Sequence, residues 1–417
     1  MARDAIVVLC MPERGHLHRL LPVVEGLAAR GRTVRALTDA RFQADVERAG
    51  ATFQDLFASF PVEAADAESR PVPSRYVSFA GHYADAITDW IAARDPALIV
   101  YDTFAVVAPI VGRRLGVPYV NFCAGHAFEP VRTVAALRAD GRAATSAACW
   151  RAIEVLRTRH GMPGANPFSY VEALSPHLNL YGEPEPFLRA ADRSAFEPLA
   201  FFGSLDSRAL RDASAAATHA EPRARPRIYA SFGTVVWRYF RAEALAAFEV
   251  LADATGSLGV ELLVSTGGQE LMAAEHERLA RPHARVERYV EQWRVLADTD
   301  VFVTHQGLNS THEAIFHGVP MLSYPFFADQ PALAARCAEL GLALPLASGP
   351  RAPLTRDGVC EALERVRAER SHFAARLAEA RGWELATIAG RAAVLDRIEA
   401  LADGARRIPR PRTRPIA

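Results

Sequence analysis

The chain has 417 residues, half of them hydrophobic and 23% charged, which is enough for two domains with separate cores. Its 48 basic residues balance 48 acidic ones, so no global field draws it to nucleic acid or to an anionic membrane. Apart from His, every basic residue is Arg; the absence of Lys removes P-loop phosphate clamps, Schiff-base chemistry and pyridoxal phosphate sites.

Five cysteines, at 10, 123, 149, 337 and 360, are odd in number and form no CxxC pair, which predicts a reduced, cytoplasmic protein. The first apolar run, Ala5 to Met11, is short for a signal peptide and reads as a β-strand. No apolar segment approaches membrane-spanning length, so no integral membrane association is expected.

After that strand, 12–15 form a loop, His16 to Arg30 has helical periodicity closed by Gly31, and Thr33 to Thr38 is a strand. The alternation continues with a strand at Ala97 to Tyr101, a helix at Val106 to Leu115 and a strand at Pro118 to Phe122. The pattern predicts a parallel sheet covered by helices on both faces. Residues 123–202 are less regular and rich in aromatics and His, including His126, Phe128, Trp150, His160, Phe168 and Tyr170. With Phe53, Phe57, Phe60, Tyr76, Phe79 and Tyr83, most of these fit core packing and some fit the wall of an apolar pocket.

Ser204 to Arg225 reads as an interdomain linker. Strands then resume at Arg227 to Ser231, Val260 to Ser265, Ala284 to Arg288, Val301 to Val303 and Met321 to Tyr324, with a helix at Glu243 to Leu251. Residues 355–403 are strongly helical, and the Arg/Pro-rich end from 404 to 417 is expected to be disordered.

The richest stretch runs from His305 to Gln330. A buried strand leads into His305-Gln306-Gly307, and Asn309, Ser310 and Thr311 are helix-start residues with Glu313 just beyond. Gly318-Val319-Pro320 stops that helix. A helix N-terminus leaving the carboxyl end of a sheet suits a phosphate or diphosphate. Three accidental matches are set aside. Asp298-Thr299-Asp300 caps a strand entrance, His312-Glu313 and His317 have the wrong spacing for zinc, and the Asn309 sequon has no secretory signal. There is no G-x-G-x-x-G.

Gly15-His16 lies in the loop after the first strand, where a ligand-facing His and a plain helix-start residue are both open readings. Asp102 ends another strand of the same domain. It can orient His16 and stabilise its imidazolium, or cap the next helix.

Taken together, His305-x-Gly307-x-Asn309-Ser310, Glu313, Gly318-Val319-Pro320 and Pro325-x-x-x-Asp329-Gln330 resemble the donor signature of the nucleotide-sugar glycosyltransferases that include plant UDP-glycosyltransferases and bacterial macrolide glycosyltransferases. Gln292 matches a family box from which Tyr289 and Glu291 depart. Ser231-Phe232-Gly233-Thr234 resembles the loop that opens the family's second domain, and Gly15-His16 and Asp102 its catalytic pair. Arg19 stands where the family usually has Pro, and Gln306 where it has Gly or Cys.

The resemblance implies the GT-B fold: two Rossmann-like domains with parallel sheets facing across a cleft. The implied divisions are 1–212 for the acceptor domain, 226–374 for the donor domain and 375–403 for C-terminal helices crossing back. It implies Tyr289 on the base, Gln292 on base or ribose and Glu313 on the ribose. His305, Gly307, Asn309 and Ser310 would lie at the diphosphate, Asp329 and Gln330 at the sugar, and Ser231 and Thr234 would also belong to the donor site. His16 would be the base and Asp102 its partner in an inverting, metal-independent transfer. No cofactor is expected beyond a nucleotide sugar, UDP-glucose being favoured over a dTDP-deoxysugar. The expected acceptor is a small apolar natural product, as in antibiotic biosynthesis, taken up by a monomer or homodimer. A catalytically silent relative acting as a partner protein is the rival reading.

Overall fold

The computed structural model describes residues 4–206, apart from 124 and 128, and residues 226–406. The expected linker beyond Asp206, the expected tail beyond Arg406, and Phe128 lie outside these residues. The chain divides into two compact units: one holds residues up to 206 together with those from 387 onward, and the other ends at Ala386.

The first unit is built on seven strands: β1 (Ala5–Leu9), β2 (Val34–Thr38), β3 (Thr52–Asp55), β4 (Pro96–Asp102), β5 (Tyr119–Cys123), β6 (Leu178–Tyr181) and β7 (Leu199–Phe201). They pair in the order β3-β2-β1-β4-β5-β6-β7, all parallel. The sequence of β1 shows why helices must cover both faces. Its residues are buried throughout. Val7 and Leu9 face a core shared with α2 (Pro73–Ala92), α3 (Val107–Leu115) and α4 (Ala147–Arg159). Ile6 and Val8 face the other core, built with α1 (Arg14–Ala29). The short strands β3 and β6 had no clear apolar run to announce them. β3 is polar at three of its four positions, and β6 carries Asn179 in its interior.

The second unit has a six-stranded parallel sheet in the order β10-β9-β8-β11-β12-β13. Its strands are β8 (Arg227–Ser231), β9 (Glu261–Ser265), β10 (Ala284–Glu287), β11 (Val301–Thr304), β12 (Met321–Ser323) and β13 (Ala343–Pro345). Helix α5 (Arg241–Ser257) follows β8, α6 (Leu308–His317) follows β11, and α7 (Gln330–Glu339) follows β12. Asp298 and Asp300 both turn to Arg227, one to its guanidinium and one to its backbone N–H, which accounts for the Asp-x-Asp match.

The C-terminal segment is one continuous helix, α8 (Arg370–Arg406), where several helices from 375 were expected. Its residues belong to the first unit from Thr387, not from 375. There Val394, Leu395, Ile398 and Ala402 join the core beside α1. Arg391, 9% exposed, donates to the carbonyls of Phe202, Gly203 and Leu205 at 2.8, 3.3 and 2.6 Å. Arg30 and Arg32 on the α1 side pair with Asp396, Glu399 and Asp403.

Candidate functional site

Strands β1 and β4 are neighbours, with Leu9 opposite Tyr101, so the loops at their carboxyl ends meet. His16 lies in the first turn of α1, after an N-cap at Glu13. Its Nδ1 stands 3.0 Å from Oδ1 of Asp102. Asp102 is 1% exposed and accepts two further hydrogen bonds, from the N–H of Met11 at 2.8 Å and of Phe104 at 2.9 Å. Three donors around a buried carboxylate fix its orientation, and that orientation fixes the imidazole. The Phe104 ring packs against His16 with centroids 4.1 Å apart. Tyr76 and Tyr170 surround Phe104 in turn. Tyr76 also donates to Glu13 at 2.8 Å. Of the aromatic set, Tyr76, Phe79, Phe168 and Tyr170 are buried core residues, whereas Phe57 and Tyr83 are partly exposed at its margin, as is Phe104. His18 turns away, toward Asp45 at 3.8 Å. Cys10, beside Asp102, is no nucleophile: burial and then the carboxylate push its thiol well up.

In the second unit the register aligns Ser265, Ser231, Thr304 and Ser323 side by side at the carboxyl ends of β9, β8, β11 and β12. All four are buried. Three of these hydroxyls accept the N–H two residues on: Gly267 to Ser265 and Gly233 to Ser231 at 3.4 Å, and Gln306 to Thr304 at 3.2 Å. Each of those donors has positive φ, at +61°, +69° and +61°. The same tight turn therefore leaves three adjacent strands, and the hydroxyl row ties down the loops above it.

His305 sits between two of these loops. A Cβ at Gly307 would stand 2.3 Å from its Nε2, and one at Gly233 would stand 2.8 Å away. Only glycine leaves the ring this room. Its Nδ1 is buried without a hydrogen-bond partner among the described residues. Burial, opposed weakly by the Ser231 backbone, pushes its pKa down to about 4. His305 is thus neutral at neutral pH and can give a phosphate a hydrogen bond but not a positive charge.

Helix α6 opens at Gly307 with extended backbone and no side-chain cap, so Asn309, Ser310 and Thr311 lie inside the helix rather than capping it. Its first-turn N–H groups have no partner within the helix by geometry, and the dipole's positive end lies there. Beside it, Gln292 Nε2 donates to Glu313 Oε2 at 2.7 Å and to Ser310 Oγ at 3.1 Å, while Tyr229 donates to Gln292 Oε1 at 3.3 Å. Tyr289 is 66% exposed, and Thr234 is exposed. Asp329 is half-buried at the start of α7. Gln330 is 6% exposed, and its Oε1 accepts from the N–H groups of Phe326 and Phe327 at 2.9 and 3.2 Å. That carbonyl closes its own loop, so the implied contact to a sugar rests on Asp329 more than on Gln330.

The family described as UDP-glucoronosyl and UDP-glucosyl transferase matches residues 216–375, the span that carries these loops. Over this span the chain is similar to these glycosyltransferases. The 4'-demethylrebeccamycin synthase of Lentzea aerocolonigenes is 26% identical over 393 residues, covering 81% of this chain and 86% of that one. The zeaxanthin glucosyltransferase of Pseudescherichia vulneris is 34% identical over 121 residues, a match that spans 28% of that protein. Among solved structures, the glycotransferase of kitacinnamycin superposes with a TM-score of 0.75 at 24% identity, covering 96% of this chain and all of that one. The fold is GT-B.

Against the family pattern, Gln306 is the informative departure. It is fully buried and holds φ +61°. Its Nε2 donates to Thr311 Oγ1 at 3.1 Å and approaches the sulfurs of Met321 and Cys337 at 3.3 Å. Its Oε1 accepts from Ser323 at 2.7 Å. The amide joins the β11 turn to β12, α6 and α7, which offsets the roughly 1–2 kcal/mol that a non-glycine residue pays in this backbone region. Sequence reading missed this role, as it missed Phe104, Tyr229 and Glu13. The repeated Ser231-x-Gly233 and Ser265-x-Gly267 spacing was the available clue to the paired turns.

Proposed function

We propose that this chain transfers a sugar, with inversion, from a nucleotide sugar to a hydroxyl of a small apolar natural product. The observation that carries this reading is the buried Asp102 held against His16 Nδ1. With Nδ1–H donated to the carboxylate, Nε2 presents the lone pair of a general base. It removes the acceptor O–H proton as that oxygen bonds to the anomeric carbon and the bond from that carbon to the phosphate oxygen breaks. The electron pair leaves with the nucleoside diphosphate, and Asp102 stabilises the imidazolium.

On the donor side, the N-terminus of α6 supplies the positive end and His305 a neutral N–H, in place of a divalent ion. Gln292 already orients Glu313, the group proposed for the ribose hydroxyls, which supports a UDP-sugar over a dTDP-sugar as the donor. Asn309, Ser310, Ser231, Thr234, Gly307, Tyr289, Asp329 and Gln330 complete the proposed donor set. The five free thiols, four of them buried, support a cytoplasmic setting. Among the described residues no helix is long and apolar enough to cross a membrane.

The test is a panel of UDP- and dTDP-sugars with hydroxylated polyketide and phenolic acceptors, read as nucleotide release and anomeric configuration of the product. His16→Ala should lower kcat by about 10²–10⁴-fold while UDP affinity persists. Retained configuration would overturn the inverting mechanism, and an active His16→Ala enzyme would overturn the base.

A further inference from the structure

A cavity lies in the first unit, away from the His16–Asp102 pair. It has a volume of about 380 Å³ and is lined by Asp85, Ile110, Arg113, Arg114, Arg159 and His160. Topology fixes its position. Asp102 ends β4 at the carboxyl edge of the sheet, and α3 runs back from there toward the start of β5. Arg113 and Arg114, in the last turn of α3, therefore lie toward the amino edge. Arg159 ends α4, and His160 is its C-cap.

The bland explanation is that basic residues complement the negative ends of α3 and α4. It accounts for the arginines but not for the rest. Two guanidinium groups share one carboxylate, because Arg114 and Arg159 both pair with Asp85. Arg113 donates Nη2 to the backbone carbonyl of His160 at 3.2 Å. The formal charge of the lining, three Arg against one Asp with His neutral, is +2. His160 is 8% exposed, and its Nδ1 is buried without a hydrogen-bond partner among the described residues. A buried imidazole nitrogen left unmatched beside a cavity of excess positive charge calls for a ligand atom. Burial, opposed by Asp85 and reinforced by the guanidinium groups of Arg114, Arg159 and Arg113, keeps this imidazole below its ordinary pKa, so it is available as a neutral N–H donor.

We propose that this cavity is a binding site for a phosphate group, free or carried by a small metabolite, held by Arg113, Arg114, Arg159 and the Nδ1–H of His160. A dianion matches the charge of the lining, and guanidinium forks match its oxygens. The cavity volume is in the range of small-ligand sites and exceeds what inorganic phosphate alone would fill. This site is separate from the donor loops of the second unit and does not depend on the activity proposed above.

The test is calorimetric titration of the full chain with inorganic phosphate, methyl phosphate and glucose 6-phosphate at fixed ionic strength, with chloride as the control. The titrations are run on the parent and on Arg113→Gln/Arg159→Gln, whose exposed side chains can change without disturbing the core. His160→Phe adds an apolar ring of similar size, and Ser310→Ala reports on the donor loops. Saturable binding of a phosphate probe is expected, weakened about tenfold or more in the double variant and in His160→Phe and unchanged in Ser310→Ala. Tighter binding of a phosphate ester than of inorganic phosphate identifies a metabolite as the occupant; the reverse identifies the free ion. Binding lost in Ser310→Ala, retained in the double variant, or absent from the parent overturns the proposal.

Discussion

Among the described residues His305 has no counter-charge; it has two glycine faces and a buried nitrogen, and these fix how it responds to acid. Unfolded, it takes up a proton near its ordinary pKa of 6.5; folded, it stays neutral down to about 4. Between those values the unfolded chain binds the extra proton, so stability that is fully present above pH 6.5 is lost as the pH falls toward 4, on the order of 1–3 kcal/mol. Urea unfolding at pH 7 and pH 5 should show a larger loss for the parent than for His305→Gln; equal losses would show that the ring is not held neutral. The pairing of His16 with Asp102 was legible in the sequence, because each follows a plainly apolar strand and the βαβ pattern makes those strands neighbours. The role of Gln306 was not legible. Its partners lie up to 31 residues further along the chain, and local spacing says nothing about which side chains a buried amide will meet.

At the scale of elements, the donor loops are three copies of one turn, each begun by a strand-end hydroxyl and finished two residues later at positive φ. The loops pack on one another, so changes in one are felt in the next. Gly307→Ala places a methyl group on His305, with no backbone strain of its own because Gly307 has negative φ. The expected cost is about 1–3 kcal/mol of stability by overpacking, accompanied by weaker UDP binding as the ring is displaced from the start of α6. Urea unfolding and UDP calorimetry check both, and unchanged UDP affinity would separate His305 from the nucleotide. The strands that lead into these loops were readable as apolar runs. The inward turn of Gln330 was not, since the motif gives its position but not that Phe326 and Phe327 would need its carbonyl.

For the whole molecule, helical periodicity runs unbroken through residue 375, and the division between the two units falls at Thr387 inside the same helix. Nothing in α8 marks Thr387 as the residue where the helix changes allegiance. The first unit depends on the last part of α8 for a share of its core. Burial of Val394, Leu395 and Ile398 contributes about 1.5–3 kcal/mol each, against a total stability of about 5–15 kcal/mol for a typical protein. Arg391 adds three hydrogen bonds to the backbone after β7. A chain ending at Ala386 should therefore lose protection of β1 and α1 in hydrogen exchange. Full protection there would show that the terminal helix is dispensable.

The same feature imposes a timetable on biosynthesis. A ribosome delivers β1 through β7 first, yet the apolar surface that α8 covers has no cover until the last twenty or so described residues emerge. At about 5–20 residues per second the opening segment waits on the order of ten seconds or more after its own synthesis. The half of the protein that is made first is thus the half that can be finished only last, and through that interval it presents the α8-binding face of its core to whatever holds nascent chains.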